Sequence, residues 1–83
     1  GVEAKAEVLS KMLDEKQIHP DEVIYVGNDI NDLPCFPVVG FAVAVPDAMR
    51  EVLQAADYVL HATGGHGAVR EICDLILRRK GKE

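Results

Sequence analysis

Positive charge is scarce in this 83-residue sequence and unevenly placed. Nine lysines and arginines stand against fourteen acidic residues, for a formal charge of −5, and four of the nine (Arg78, Arg79, Lys80, Lys82) fall in the last six positions. The first seventy-seven residues therefore carry five positive and thirteen negative side chains. General nucleic-acid binding needs clustered Lys and Arg to neutralise phosphates, so no nucleic-acid partner is expected. Long hydrophobic runs are missing too. No apolar stretch approaches the roughly 18 residues of a membrane-spanning helix, and no basic-then-apolar leader opens the chain. A cytoplasmic protein with no membrane partner is expected. Cysteine is limited to Cys35 and Cys73, without Cys-x-x-Cys or Cys/His spacing, and each stands in an apolar stretch. Two buried thiols are expected there, not a disulfide or a zinc site. Repeats, linkers and low-complexity segments are also absent. The remainder, 48% apolar and 28% charged, is ordinary globular composition, and the length allows one domain at most.

Hydrophobic periodicity orders the chain. Val8, Leu9, Met12 and Leu13 recur at helical spacing from about Ala4 to Gln17, and Pro20 enforces a stop. Glu22 to Val26 is a short β-branched run closed by Gly27, which suits a buried strand of a parallel sheet. Asp29 to Phe36 reads as a turn and short helix with Pro34 near its start. Phe41 to Val45 is a second strand, Pro46-Asp47 a capped start for a helix over Ala48 to Ala55, and Asp57 to Leu60 a third strand. A glycine-rich loop, His61 to Gly67, leads into a last helix with Val69, Ile72, Cys73 and Ile76 on its apolar face. Helices alternating with short apolar strands imply an α/β fold: a three-layer, Rossmann-like parallel sheet of about three strands and four helices. Sheets usually have five or six strands, so this one reads as partial.

In open α/β sheets the ligand sits beyond the carboxyl ends of the strands. After the first strand that place holds Gly27-Asn-Asp-Ile-Asn-Asp32. Asp29 and Asp32, three apart, share one side of a helical turn, and Asn28 and Asn31 add amide oxygens, a hard donor set of the kind Mg²⁺ prefers. The same residues equally suit an Asx-turn and a helix cap. The Gly64-Gly65-His66-Gly67 stretch allows two readings as well: amides offered to an anion, or a tight strand-to-helix turn. His19 and His61 have no partner signal and read as surface or loop histidines.

Five segments, in order, carry a family resemblance. They are Lys5 in Gly-Val-Glu-Ala-Lys, Val-Ile-Tyr-Val-Gly-Asn-Asp-Ile-Asn-Asp-Leu-Pro, Val-Gly-Phe-Ala-Val-Ala-Val-Pro-Asp-Ala, Ala-Asp-Tyr-Val, and Gly-Gly-His-Gly-Ala-Val-Arg-Glu-Ile-Cys-Asp-Leu-Ile-Leu. Together they resemble the C-terminal half of the KDO-8-phosphate phosphatase group of haloacid-dehalogenase-like (HAD) hydrolases. They equally resemble the phosphatase-like C-terminal domain of acylneuraminate cytidylyltransferases, to which Asn28 looks closer. The resemblance implies that residues 1–83 are the C-terminal part of a HAD-like phosphatase domain, a Mg²⁺-dependent hydrolase of a phosphorylated sugar acid (KDO-8-phosphate-like or acylneuraminate-9-phosphate-like). The alternative it leaves is a non-catalytic assembly domain of a cytidylyltransferase.

Residue by residue, the resemblance makes Lys5 the catalytic lysine that neutralises the phosphoryl group. It puts the metal at Asn28, Asp29 and Asp32, with Asn28 a neutral and weaker ligand where the family has an acid. Asn31, Gly65, His66 and Arg70 are implied as substrate-binding, with His66 where the phosphatases often have Arg. The family's nucleophile and acid/base lie in an Asp-x-Asp motif, and that pattern does not occur in this sequence. The chain by itself is therefore expected to be inactive, to need the missing N-terminal half of the domain, and to assemble as a homo-oligomer.

Overall fold

A computed structural model describes residues 5–63 and 65–81 of the chain, with side chains as far as Arg78. Helix α1 spans Lys5–Glu15, and Leu9 and Leu13, one turn apart, are its buried residues. They pack against Cys35, Val23, Tyr25, Val38 and Val39. Val8 and Met12 were expected on the same face but are 63% and 43% exposed, because one ridge of residues four apart covers the narrow strip α1 lies on. The helix stops short of Gln17 because Gln17 takes a left-handed φ of 57°. There its N–H donates to Asp14 O (3.1 Å) and that of Ile18 to Leu13 O (2.9 Å), the paired bonds that close a helix C-terminus. Ala4, the expected start, lies outside the described residues.

Strand β1 is Ile24–Gly27, two residues later than the hydrophobic run suggests, since Glu22 belongs to a 3₁₀ turn, Pro20–Glu22. The next helix is a 3₁₀ helix, Ile30–Val38, with Pro34 and Pro37 inside it. Each proline removes an N–H and crowds the carbonyl four residues back, so the segment cannot wind as an α-helix. Strand β2 is Phe41–Ala44, α2 is Arg50–Ala55, β3 is Tyr58–Val59 and α3 is Gly65–Gly81. Asp47 does not cap α2, whose N-cap is Met49 without a side-chain bond. The Val45–Ala48 turn closes on its own backbone bond (3.1 Å), and the Met49 N–H is drawn to Asn28 O (3.1 Å), which delays the helix.

The three strands are parallel in the order β1-β2-β3, with Ile24 opposite Phe41, Gly27 opposite Ala44, and Ala44 opposite Val59. Alternation along β2 divides the core. Ala42 and Ala44 join Phe36, Ala48 and Val52 on one face. Val43 joins Leu60 and Leu75 on the other, where α3 packs through Ala68 and Ile72. Of the expected α3 face, Ile72 packs on the sheet, but Val69 is 62% and Ile76 36% exposed and Cys73 is exposed, while Cys35 is buried. A helix lying on a three-stranded sheet buries only the stripe directly above it, here Ala68, Ile72 and Leu75. Gly65, His66 and Gly67 already belong to the first turn of α3 and not to a loop; Gly64 lies outside the described residues. Among the described residues no helix is long and apolar enough to cross a membrane.

Leu60 is 2% exposed at the centre of the second cluster, whereas Leu77 is 67% exposed. Leu60→Ala is expected to destabilise the chain by about 2–5 kcal/mol. Leu77→Ala is expected to change stability by no more than about 0.5 kcal/mol. Urea denaturation of both variants checks the pair; equal effects would contradict the core assignment.

Candidate functional site at the carboxyl edge of the sheet

Parallel strands bring all three carboxyl ends to one edge, so the segments after Gly27, Ala44 and Val59 are neighbours there. The segment after β1 is organised by one carboxylate. Among the described residues Asp32 is the buried charged one, 5% exposed, and it sits in the first turn of the 3₁₀ helix. Its Oδ1 accepts from Lys5 Nζ at 2.8 Å and from the Tyr25 hydroxyl at 2.8 Å. Its Oδ2 accepts from the backbone N–H groups of Asn28 (2.9 Å) and Asp29 (3.1 Å). Asp29 completes a capping box as N-cap, its Oδ1 accepting from Ile30 N–H at 2.6 Å. The Asn/Asp cluster thus performs the capping that its composition allowed.

Four donors decide the ionisation of Asp32. Burial alone would raise its pKa, but the bonds from Lys5, the two amides and Tyr25 outweigh it and hold the carboxyl well below the usual range. Lys5 is raised in turn, first by its hydrogen bond to Asp32. Tyr25 is raised by desolvation and then by its bond to the same carboxylate. The Lys5 side chain is 46% exposed and its ammonium spends one donor on Asp32 Oδ1, which leaves donors for an anion at the edge.

Gly27 is required by the same packing. A Cβ there would lie 2.8 Å from Asp32 Cβ, closer than side chains approach, and 3.0 Å from Phe36 Cε1, and the first contact is relieved only by moving Asp32. Gly27→Ala is expected to displace Asp32 and cost about 1–3 kcal/mol, measurable by chemical denaturation. A variant as stable as the parent would show that the strand end tolerates a side chain.

Asn28 and Asp29 are exposed and Asn31 is half-buried. Asp32 has both oxygens in use, so the side chains left to meet a hard cation are those of Asn28 and Asp29. Among the described residues no group of three or more His, Cys, Asp or Glu is gathered. The donor set fits a divalent cation that takes its remaining oxygens from outside this chain. Gly65, His66 and Arg70 are exposed in the first turns of α3, beyond the end of β3. A Cβ on Gly65 would meet nothing within 4 Å, so no close contact in this chain demands glycine there.

A second carboxylate at this edge gave no signal in the sequence. Glu71, on α3, accepts from the N–H groups of His61 and Ala62 and from the Tyr58 hydroxyl at 2.7 Å. Tyr58, His61 and Glu71 belong to three different local patterns, and only the turn of the chain after β3 unites them. The backbone bond from Ala62 leads the interactions that lower Glu71 to a pKa of about 2, from an ordinary 4.5. Because the folded value is depressed, its contribution to stability is complete above the ordinary value and is lost as pH falls from about 4.5 toward 2. The neighbouring titratable groups are Tyr58, His61 and, acting on Tyr58, Arg78. Glu71→Gln is expected to flatten this acid limb of a plot of thermal midpoint against pH. Identical slopes in both proteins would contradict the role of the carboxylate.

With this geometry in view, the profile of the haloacid dehalogenase-like hydrolases matches residues 3–72. The 3-deoxy-D-manno-octulosonate 8-phosphate phosphatase of Salmonella typhi is 46% identical over 82 residues, covering 99% of this chain and 44% of the relative. The cobalt-bound deoxy-D-mannose-octulosonate 8-phosphate phosphatase of Haemophilus influenzae superposes with a TM-score of 0.84 at 36% identity, over 96% of this chain and 47% of that one. The corresponding phosphatase of Moraxella catarrhalis, in complex with magnesium, phosphate and KDO, gives a TM-score of 0.81 at 34% identity, over 92% and 44%. The chain thus spans less than half the length of these relatives.

Proposed function

Since the chain belongs to the haloacid dehalogenase-like hydrolases, we propose that residues 1–83 form the C-terminal part of a Mg²⁺-dependent phosphatase domain acting on a phosphorylated sugar acid. KDO-8-phosphate is the substrate favoured by the relatives, and an acylneuraminate 9-phosphate is its chemical analogue. The observation that carries this reading is the Lys5 ammonium held at 2.8 Å by Asp32 beside the exposed Asn28-Asp29 corner. A cation fixed in place next to oxygen donors is what stabilises charge on a transferring phosphoryl group.

The geometry supports the following division of roles. Lys5 takes the phosphoryl oxygens with the donors Asp32 leaves free, and Asp32 keeps the ammonium from moving. Asn28 and Asp29 would hold Mg²⁺, which when bound supplies charge neutralisation and orientation. Tyr25 and the Asn28 and Asp29 amides fix Asp32 and through it the corner. Gly65, His66, Arg70 and Asn31 are the substrate-binding residues of this reading. Asp-x-Asp does not occur in the chain, so the nucleophile comes from an N-terminal half. β1 is an edge of the sheet, Val26 on it is 39% exposed, and a further parallel strand pairing there would bring its own carboxyl end to the Lys5 corner. Exposed Val8, Met12, Val69 and Leu77 supply apolar surface for that half and for a homo-oligomer.

Asn28 favours a second reading, the assembly domain of an acylneuraminate cytidylyltransferase, because a neutral amide is a weaker ligand for Mg²⁺ than a carboxylate. Turnover separates the two. The chain alone with Mg²⁺ is expected to hydrolyse p-nitrophenyl phosphate no faster than buffer. Joined to an upstream half bearing Asp-x-Asp, it is expected to turn over, and Lys5→Ala to lower the rate on the order of a hundredfold. Activity of the chain alone that survives repurification and vanishes in Asp29→Ala would overturn the division of the site. An unchanged rate in Lys5→Ala would remove Lys5 from it, and an inert joined protein would leave the assembly reading.

A further inference from the structure

The β3 end of the carboxyl edge repeats the device at the β1 end. At β1, a helix carboxylate (Asp32) takes two successive backbone amides beyond the strand and the hydroxyl of a strand tyrosine, Tyr25. At β3, Glu71 takes the amides of His61 (2.9 Å) and Ala62 (2.9 Å) and the hydroxyl of Tyr58 (2.7 Å). Each carboxylate also holds one further nitrogen-bearing side chain: Lys5 on Asp32, and the His61 ring on Glu71, with Nδ1 3.0 Å from Oε2. The first device fixes the group that meets a phosphoryl oxygen. The second fixes a histidine whose side chain is 85% exposed at the same edge, two strands along and on the α3 side of the sheet, opposite the side that carries Tyr25 and Asp32.

The hydrogen bonds determine which nitrogen of His61 faces outward. The side chain of Glu71 is 17% exposed and is held ionised by its donors, so both oxygens only accept. The single Tyr58 proton goes to Glu71 Oε2, so the tyrosine oxygen, 3.3 Å from His61 Nδ1, has no proton to offer the ring. Nδ1 therefore carries the proton of the neutral imidazole and donates it to Glu71. The lone pair is left on Nε2, and edge contact with Tyr58, ring centroids 5.9 Å apart, holds the ring plane. A carboxylate behind one ring nitrogen fixes the tautomer and orientation of the other in many functional histidines.

We propose that His61 is a substrate-contacting residue whose Nε2 accepts a hydrogen bond from a hydroxyl on the polyol end of the sugar acid, with Glu71 and Tyr58 as its positioning residues. This rests on the sugar-acid phosphatase reading, and it adds the recognition of the sugar at the end of the site remote from Lys5. A ligand reaching both devices crosses the carboxyl edge from the α1 side to the α3 side of the sheet, with an anionic group at Lys5 and hydroxyls at His61. In the Nδ1–H tautomer the Nε2 lone pair accepts from O–H and repels a carboxylate or phosphate oxygen.

Long-range ¹H–¹⁵N spectra of the histidines in the labelled chain test this, with KDO and inorganic phosphate as separate probes. At high pH His61 is expected to show a protonated Nδ1 and a bare Nε2, and KDO is expected to shift the Nε2 signal. Phosphate is expected to shift the Asn28 and Asp29 amides and leave His61 unmoved. Glu71→Gln, whose amide can turn its NH₂ toward the ring, is expected to populate the Nε2-protonated tautomer and to reduce the KDO response of His61 several-fold, while the phosphate response stays as in the parent. A dominant Nε2–H tautomer in the parent chain overturns the proposal without need of any variant. So does a KDO titration that leaves His61 unmoved, or one that is equal in Glu71→Gln. Phosphate that fails to shift the Asn28-Asp29 corner counts instead against the phosphatase reading, whatever KDO does at His61.

Discussion

One carboxylate, Asp32, ties the chain together at the place where chemistry is proposed. It joins α1 through Lys5, β1 through Tyr25, and the corner between β1 and the 3₁₀ helix through two amides. A charge this buried is costly unless all its bonds are made, and here the donors are supplied by three separate segments of the chain. Any displacement of one segment leaves the carboxylate under-bonded, so the position of Lys5 is coupled to the packing of the sheet. That coupling explains why Gly27 has no room for a Cβ: the strand must approach the carboxylate closely enough for the amides just beyond it to reach Oδ2.

Parallel topology makes such a device useful twice. Because β1 and β3 run the same way, each ends at the same edge, and each is followed by a segment whose first free amides would face solvent. A carboxylate from the following helix satisfies them in both places. A side chain fastened to that carboxylate is then held at the edge with little conformational freedom left to lose on binding. At β1 the fastened group is an ammonium with spare donors, and at β3 it is the His61 ring, held through Nδ1. Complementary donor and acceptor ends on one edge suit a ligand that is anionic at one end and hydroxylated at the other.

Much of this was legible in the sequence, and the failures have identifiable causes. The strands at Ile24–Gly27 and Phe41–Ala44 follow from short apolar runs, the first ended by Gly27 and the second ended before Pro46, and the α/β alternation follows from their spacing. The Asn/Asp cluster marked the corner, and capping was one of its two open readings. Helix faces were less legible. Val69, Ile72, Cys73 and Ile76 satisfy the apolar period of α3, yet only Ile72 of these lies in the stripe over the sheet, with Ala68 and Leu75, and a period alone does not say which of two adjacent stripes a small sheet covers. Pro34 looked like a helix start, but with Pro37 it imposes 3₁₀ winding on the whole segment. His61 was unreadable for a different reason: its partner Glu71 is ten residues on, in another element, and only the turn after β3 brings them together.

The distribution of functions along the chain has a physical logic of its own. Neutralising a phosphoryl group requires a cation whose position does not relax when the anion arrives, since a lysine free to swing would give back in reorganisation what it gained in attraction. Lys5 meets this condition inside the chain, because Asp32 and its other three donors lie within residues 25–32. A nucleophile contributed by a strand beside β1 would then meet a corner already set. The precision of the site would rest on the register of one strand pair, because each residue of slip moves a side chain by about 3.3 Å and to the opposite face. With its final residue, Gly27, packed against Asp32, the end of β1 that such a strand would meet is placed by the same carboxylate that fixes the lysine.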